Sequence, residues 1–346
     1  MPKKPRSTRK PQGPKAGQAQ PRGIQINFDG LLKKSKLDKA KPLIEAIEKE
    51  RDSKLICFTY NNLPPVPTML TPALLSPLEK ALSHLGRVKN LDLFLRCTGG
   101  ITEVPWRIVS LLRELVTDRL GVIVSQMALS GATHIAIAAD ELIMTPFSVL
   151  GSVDPTRNHP LLPKDSEGKP IPTSVEDLKH CIKFIREQLG NSYDDQDLAL
   201  IISELFKYID PLAIGALEQS YNLSKLITRK CLKTRKKQLS EEKIGKIVEQ
   251  LAGGYFSHSF QISRSEVESD LGLPVTKPDG NLSQLISDLG DLYMEEFNNK
   301  IIVHPPDPEP LFRIGGVIQL DDRCWAIASV FLNNGRTITD PWVELK

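Results

Sequence analysis

The chain of 346 residues has few cysteines, and they lack the patterns that build disulfide frameworks or zinc sites. There are five, an odd number, widely spaced and without a C-x-x-C pair, which argues against both kinds of cross-link. A reducing cytoplasm fits this usage, and we predict a cytoplasmic location. The sequence also has no G-x-x-x-x-G-K-[ST] loop and no zinc motif, so we expect neither a cofactor nor a metal in this chain.

Long uninterrupted apolar runs are also missing. No apolar core follows the basic first residues, as a signal peptide would require. The segment 120–144 is rich in apolar residues, but Gln126, His134, Asp140 and Glu141 interrupt it. It divides into a strand and a helix of small residues, so the sequence predicts no membrane span.

Acidic residues are absent from residues 1–23, which hold seven Lys/Arg together with Pro and Gly. Such a segment cannot bury enough apolar surface to fold alone. We predict a disordered basic arm, which is either a solvated tail or an electrostatic contact for nucleic acid, an anionic membrane or an acidic partner. The remainder, with 38 basic and 42 acidic residues, is long and apolar enough for one large α/β domain.

Apolar strands alternate with one-sided helices through the middle of the chain. The patterns predict strands at 54–60, 91–95, 121–126 and 142–145, and helices at 38–51, from Thr71 or Ser76 to about 85, at 103–118 and from Ser130-Gly131 onward. This order implies parallel strands joined by right-handed crossovers. Further helices are predicted at 175–189, 197–206, 211–233 and 241–252, and the stretch from about 301 is β-rich, with Asn334-Gly335 as a hairpin turn.

Two glycine-containing turns each follow an apolar strand directly. Gly99-Gly100 ends one strand, and Ser130-Gly131 opens the small-residue helix. Because parallel strands end at one edge of a sheet, both turns are expected there. An acyl transfer needs a nucleophile and backbone N–H groups aimed at the oxyanion, and Ser130 with the amides of Gly100 and Gly131 supplies such a set. Glycine ends many strands and serine caps many helices, so the spacing alone leaves a purely structural role open.

Four ordered motifs then carry a resemblance to a known family. They are Cys97-Thr98-Gly99-Gly100, Leu129-Ser130-Gly131-Ala132-Thr133, the run AADELIM at 138–144, and LGSVDP at 150–155. This part of the chain, roughly 54–275, resembles the serine dehydrogenase proteinase family, which is related to signal peptide peptidase A and to the proteolytic subunit of Clp protease. The family pattern has T-P-G-G at the first turn and Ser-Ala-Gly at the second, so this chain lacks the proline and reverses the small residues.

The resemblance implies an α/β fold: a Clp protease/crotonase-like spiral of ββα units with a parallel sheet, a helical C-terminal part and a small β appendix. We accordingly expect a disordered basic arm over 1–23, a serine peptidase domain over 24–298 and a β-rich appendix over 299–346. It also implies Ser130 as the nucleophile, Gly100 and Gly131 as the oxyanion hole, a polypeptide substrate and a homo-oligomer.

The general base is less clearly indicated. In the Clp subunit a histidine lies one strand beyond the nucleophile helix, where this chain has Val153 and Asp154 and no histidine, so a Clp-type triad is not predicted. His258 falls where the resemblance puts the third triad member and is the first candidate, although a loop histidine satisfied by the backbone is the plainer interpretation. Asp154 either orients a base or forms the turn before Pro155.

Other bases stay open at this point. His134 is four residues after Ser130 on the same helical face, but a buried structural histidine is the plainer interpretation. Signal peptide peptidases use a Ser–Lys dyad, in which burial lowers the pKa of the lysine. Lys179 is the candidate of that kind, and three further lysines and another histidine lie at comparable distances along the chain: Lys164, Lys169, Lys183 and His159.

Three hypotheses for function follow. The first is a serine endopeptidase that hydrolyses peptide bonds through a Ser130 acyl-enzyme. The second is a catalytically inactive oligomeric scaffold of the same fold, whose basic arm recruits nucleic acid or an acidic partner. The third is crotonase-like acyl-thioester chemistry, which would require coenzyme A and does not need the serine turn.

Overall fold

The computed structural model describes residues 27–63, 69–156, 159–189, 195–299, 301–302, 311–331 and 337–345. The basic arm predicted for 1–23 and the predicted turn at Asn334-Gly335 lie outside the described residues. Both therefore stay predictions.

A single sheet runs through the described part of the chain. Its strands are β1 Lys54–Tyr60, β2 Val88–Cys97, β3 Val116–Ala128, β4 Glu141–Met144, β5 Val149–Gly151, β6 Gln261–Ser263, β7 Val275–Thr276, β8 Ile301–Ile302, β9 Leu311–Gln319, β10 Cys324–Phe331 and β11 Thr337–Leu345. The main order is β11-β10-β9-β1-β2-β3-β4-β7. Strands β1 to β4 and β7 are parallel, which confirms the predicted fold class.

Helices cover both faces of this sheet. They are α1 Phe28–Leu32, α2 Ala40–Arg51, α3 Leu75–Leu85, α4 Val104–Leu115, α5 Gly131–Ile137, α6 Val175–Leu189, α7 Asp195–Leu205, α8 Pro211–Lys233, α9 Glu241–Glu249, α10 Arg264–Ser269 and α11 Gly280–Asn298. Helix α4 is shorter than the predicted 103–118 because Val116 and Thr117, both β-branched, already belong to β3. Helix α9 ends at Glu249 and continues as a π-helical turn, Gln250–Gly254.

The strands are buried on both faces because their apolar residues alternate between two cores. In β1, Ile56 and Phe58 enter the core that α3, α4, α5, α8 and α9 cover. Leu55 and Cys57 enter the core beneath α2 and α11. A parallel sheet that is covered on both faces needs such continuous apolar strands, and this is why KLICFTY reads as an apolar run without polar alternation.

The β-rich C-terminal segment continues the same sheet. Strand β9 pairs antiparallel with β1, with Phe58 opposite Ile318, and β10 and β11 add to it in turn. The sequence predicted this segment as an appendix, whereas in the structure it covers the edge of β1. Backbone groups that would otherwise form an exposed edge are thereby paired.

The amino ends of the parallel strands are tied by a buried ion cluster. Asp92, fully buried, accepts from Arg51 and Arg119 at 2.9 Å each. The same two guanidiniums bind Glu141 at 2.7 and 2.8 Å. Asp140 pairs separately with Arg113 at 2.6 Å. The acidic pair at 140–141 is therefore structural and lies at the opposite end of the strands from the two glycine turns.

Candidate active site

The two glycine turns meet at the carboxyl ends of β2 and β3. The backbone N–H of Leu129 donates to the carbonyl oxygen of Cys97 at 2.9 Å, which joins the two strand ends just before Ser130. Gly99 has φ +97° and lies so close that a Cβ there would be 2.7 Å from the Gly131 nitrogen. Only glycine permits this approach, so Gly99 brings the Gly100 and Gly131 turns side by side.

Gly100 makes a second close contact, with a crossing segment. Leu70 N–H donates to the Gly99 carbonyl at 2.8 Å, and Ile101 N–H donates to the Leu70 carbonyl at 2.9 Å. A Cβ on Gly100 would lie 2.4 Å from both the backbone nitrogen and the carbonyl oxygen of Leu70. The backbone of residue 100 is therefore held by its neighbours on both sides.

Ser130 occupies a strained backbone conformation between β3 and α5. Its φ is 49° and its ψ is −119°, a left-handed region in which a residue with a Cβ costs about 1–3 kcal/mol. A serine on a sharp strand-to-helix turn is also the arrangement that exposes the nucleophile in α/β-hydrolases. The small residues that follow it, Gly131, Ala132, Thr133 and Ala136, are all buried, and they let α5 pack closely against β3.

Two backbone amides beside Ser130 are candidates for an oxyanion hole. A Cβ on Gly131 would lie 3.3 Å from the Gly100 nitrogen, so the two N–H groups are neighbours. Within the described residues, neither amide donates to another protein group. Two adjacent unengaged donors at a helix start suit a developing negative charge.

A cavity of about 880 Å³ opens over these groups. Ser130, Gly100 and Gly131 line it together with His258 and His134. Helix α8 and the turn before α4, at residues 101–103, also line it. The α8 residues are Gln219, Ser220, Leu223 and Ser224.

His258 contacts Asp154 at the edge of this cavity. The distance from His258 Nδ1 to Asp154 Oδ1 is 3.1 Å, and Asp154 is 6% exposed. The hydrogen bond to Asp154 raises the pKa of His258 above its ordinary value, although burial acts in the opposite direction. The sequence left Asp154 with two roles, and the structure brings it to the imidazole.

The loop that carries His258 is anchored to the segment containing Asp154. Ser152 Oγ donates to the Ser257 carbonyl at 3.0 Å, and Val153 N–H donates to the Leu251 carbonyl at 2.9 Å. These bonds flank the contact between Asp154 and His258, so the pair is fixed by backbone as well as by side-chain interactions.

His134 is held inside the protein by α8. Its Nε2 lies 3.1 Å from Thr228 Oγ1, and it is 2% exposed. The Thr228 hydroxyl donates to the Ser224 carbonyl, and the Ser224 hydroxyl donates to the Val153 carbonyl. Both hydroxyl protons are thus committed, so Nε2 is the protonated nitrogen. Burial lowers the pKa of His134 to about 4, which keeps the ring neutral.

The structure does not bring Lys179 to the cavity. Its Nζ binds Glu176 at 2.9 Å and lies 4.0 Å from the centre of the Tyr221 ring. Its pKa is raised, because the bonds to Glu176 and Tyr221 outweigh the effect of burial, whereas a lysine base needs a lowered pKa. The other lysines and the other histidine named above are also absent from the cavity lining: Lys164, Lys169, Lys183 and His159.

With this geometry in view, residues 31–163 match the sequence model of one protein family, described as ClpP-like SDH-type serine proteinases. Over this segment the chain is similar to ClpP-like SDH-type serine proteinases. The resemblance inferred from the four motifs is confirmed. The match contains Ser130, both glycine turns and Asp154, but it ends before His258.

Curated relatives of the chain come from Methanocaldococcus jannaschii. Uncharacterized protein MJ0137 is 28% identical over 217 residues, which is 62% of this chain and 63% of that protein. The match thus spans just under two thirds of that relative. Uncharacterized protein MJ1495 is 22% identical over 285 residues, 80% of this chain and 84% of its own length.

Two solved structures are also similar to the chain. Both are variants of the 1510-N membrane-bound stomatin-specific protease, each 12% identical to the chain. One gives a TM-score of 0.33 and covers 67% of this chain and 82% of its own. The other, in complex with a substrate peptide, gives a TM-score of 0.30 and covers 66% and 71%.

A second possible nucleophile, Cys97, lies next to the Gly99-Gly100 turn. Cys97 precedes Thr98 and Gly99, and its Sγ accepts from the Gly99 N–H at 3.3 Å. Complete burial raises the pKa of the Cys97 thiol to about 12. A thiol with that pKa is not ionised at neutral pH, so Cys97 acts as a packing residue.

Sequence reasoning missed two residues that shape the site. The Thr133 hydroxyl lies 2.8 Å from the Ala128 carbonyl and 2.9 Å from the Gly151 carbonyl, and so links α5, β3 and β5. Arg96, on β2, is buried beside Cys97 and binds three groups near the ends of β1 and β3. A charged residue at the end of the apolar run LDLFL was the available signal for Arg96.

The described residues contain no cluster of three or more His, Cys, Asp or Glu side chains that could hold a metal ion. None of the helices in the described ranges has the length and apolar character needed to cross a membrane.

Proposed function

We propose that this protein is a serine endopeptidase in which Ser130 forms an acyl-enzyme. The observation that carries the proposal is the hydrogen bond between His258 and Asp154, at the cavity that Ser130 and two unengaged amides also line. A nucleophile, a base held by a carboxylate, and oxyanion donors are the parts that peptide hydrolysis requires.

Acylation follows from these roles. His258 donates its Nδ1–H to Asp154, which leaves the Nε2 lone pair to take the hydroxyl proton of Ser130. The Ser130 Oγ attacks the peptide carbonyl carbon, and the carbonyl oxygen takes the negative charge. The N–H groups of Gly100 and Gly131 bind this oxyanion. His258 then gives its Nε2 proton to the leaving amine, and the C–N bond breaks.

Deacylation repeats these steps with water as the nucleophile. His258 takes a proton from a water molecule, the resulting hydroxide attacks the ester carbon of acylated Ser130, and the same two amides hold the second oxyanion. The proton returns from His258 to Ser130 Oγ as the ester bond breaks. Asp154 stays ionised throughout and stabilises the imidazolium form of His258.

The order of the histidine and the carboxylate along the chain differs from that of the Clp subunit. Here the carboxylate, Asp154, follows the nucleophile helix, and the histidine comes from the distant segment around residue 258. The scaffold alternative rested on the missing histidine beyond that helix. Because His258 can supply an imidazole from the other segment, that alternative is not favoured.

Labelling with a fluorophosphonate probe tests the proposal. We expect wild-type protein to be labelled at Ser130, and Ser130→Ala to be unlabelled while it keeps its thermal stability. His258→Ala should lose labelling too, whereas Lys179→Met should keep it within about twofold, because Lys179 lies outside the cavity. Wild-type protein that remains unlabelled would refute a Ser130 hydrolase, and hydrolysis of an unfolded polypeptide distinguishes a peptidase from another acyl hydrolase.

Three further expectations from the sequence stay predictions. They are a homo-oligomer, a cytoplasmic location and a basic arm that binds nucleic acid or an acidic partner. Sedimentation of the full chain tests the first, and salt-dependent binding to a polyanion, compared with and without residues 1–23, tests the third.

A further inference from the structure

An irregularity in the pairing of β2 with β3 lies directly before the nucleophile turn. Leu95 is the partner of Val124, but Cys97 is the partner of Ala128. Two steps along β2 therefore correspond to four steps along β3. The surplus residues form a bulge, and bulges of this kind redirect a strand next to functional sites.

Gln126 lies inside this bulge and has an unusual backbone. Its φ is +68°, a conformation that a residue with a Cβ adopts only when its surroundings enforce it. Before it, residues 121–124 of β3 pair with β4, and after it Met127 and Ala128 pair with β5. The change of direction at Gln126 therefore sets where Leu129 and Ser130 lie.

Arg96 is the side chain that engages this bulge. It sits on β2 between Leu95 and Cys97, is 2% exposed, and donates from Nε to Gln126 Oε1 at 3.1 Å. Its two terminal nitrogens donate to the Tyr60 carbonyl at 2.6 Å and to Asn62 Oδ1 at 2.8 Å. The guanidinium thus joins the carboxyl ends of β1, β2 and β3.

The charge of Arg96 is buried among hydrogen-bond acceptors that carry no opposite charge. Its three acceptors are neutral, and no carboxylate of the described ranges forms an ion pair with it. Burial accordingly lowers the pKa of Arg96. Buried charges are normally paired, and departures from such rules concentrate at functional sites.

We propose that Arg96 is a positioning residue for Ser130: its guanidinium fixes Gln126 in the left-handed conformation that aims the end of β3 at the oxyanion turn. The position of Gln126 affects Ser130 through the next residues of the chain, which the hydrogen bond from Leu129 N–H to the Cys97 carbonyl holds against β2. Arg96 lies outside the cavity lining, so it acts on the rate through geometry, without contact with the substrate. The inference rests on the proposed function for its catalytic readout.

The first test compares Arg96→Met with a matched control, Arg235→Met. Arg235 is also a buried arginine, 3% exposed, and donates to the carbonyls of Ile137 and Asp140, away from the bulge. We expect Arg96→Met to lower kcat and the labelling rate of Ser130 by about 10²-fold per folded molecule, with KM within about threefold, since small displacements of reacting groups have effects of this size. Arg235→Met should change stability but keep kcat.

A rescue experiment separates positioning from general packing. Glycine adopts φ +68° without help, so Gln126→Gly should restore about tenfold of the rate lost in Arg96→Met. The single variant Arg96→Lys should retain less of the wild-type rate than the double variant, because an ammonium cannot reproduce the forked donor geometry. If Arg96→Met and the double variant with Gln126→Gly lose the same fraction of the rate, the proposal is overturned. If Arg96→Met does not fold, Arg96→Lys takes its place in the test.

Hydrogen exchange supplies a readout independent of catalysis. The amides of residues 127–131 should exchange faster in Arg96→Met than in wild type and in Arg235→Met. If wild-type protein is not labelled but this exchange difference appears, the proposed function fails and the positioning role stands. If wild-type protein is labelled and neither rate nor exchange changes in Arg96→Met, the positioning role fails alone.

Discussion

His258 and Asp154 are 104 residues apart in sequence, yet His258 Nδ1 lies 3.1 Å from Asp154 Oδ1. The carboxylate is almost fully buried, and the imidazole is one third exposed at the cavity. The pair combines a fixed orientation with access to the cavity that Ser130 also lines, as the general base proposed above requires.

The pH dependence of activity should report this pair. Because Asp154 raises the pKa of His258, the acid limb of kcat/KM should have its midpoint above the ordinary histidine value of about 6.5. Asp154→Asn should move that midpoint to lower pH and reduce kcat by about 10²–10⁴-fold, since the ring loses its orienting partner. An unchanged midpoint in Asp154→Asn would contradict the assignment.

The same shift has a consequence for stability. His258 has a raised pKa in the folded state, so its pairing with Asp154 stabilises the fold fully below the unfolded pKa, about 6.5. This contribution is lost as the pH rises through the higher folded value. Thermal unfolding of wild type and His258→Gln should therefore differ more at pH 5.5 than at pH 9. A difference that grows with pH would have the wrong sign.

Strain at Ser130 can be measured through stability. Ser130→Gly should be more stable than Ser130→Ala by about 1 kcal/mol, because glycine adopts φ 49° without steric cost and alanine does not. Both variants remove the hydroxyl, so the comparison isolates the backbone. Denaturant unfolding measures the difference, and equal stabilities would mean that Ser130 is unstrained.

The proposed oxyanion donors are tested by adding one methyl group. In Gly131→Ala the new Cβ would lie 3.3 Å from the Gly100 nitrogen and 3.2 Å from Pro105 Cγ. We expect kcat to fall about 10²-fold with little change in KM, as for the loss of one oxyanion donor. Gly245→Ala, in α9 with open space around it, is the matched control and should keep kcat while gaining about 0.5–1 kcal/mol of stability. A Gly131→Ala variant with normal kcat would exclude this oxyanion hole.

The ion cluster at the amino ends of the strands should stabilise the fold without affecting the reactivity of Ser130. Asp92→Asn leaves Arg51 and Arg119 without their shared buried carboxylate, and breaking such a pair costs about 3–5 kcal/mol. Asp118→Asn, which removes a partner of Lys236 on the surface, should leave the Tm unchanged. Below the unfolding transition, Asp92→Asn should label at Ser130 as fast as wild type; slower labelling would show that the cluster influences the site.

The sequence by itself determined the parts of this protein that depend on neighbours along the chain. Apolar runs and helical spacing predicted the parallel strands, because periodicity is a local property. The turns at Gly99-Gly100 and Ser130-Gly131 were also readable locally, since glycine and small residues mark close backbone approach.

Only the tertiary structure decided which distant groups meet. It brought His258 to Asp154 and kept Lys179 away from the cavity, because side chains far apart in sequence become neighbours only through packing of β5, β6 and α8. It also showed that the β-rich C-terminal segment continues the sheet, since strand pairing has no sequence period of its own. The sequence alone located Ser130 at the end of an apolar strand, whereas the contact between His258 and Asp154 at the cavity depends on long-range packing.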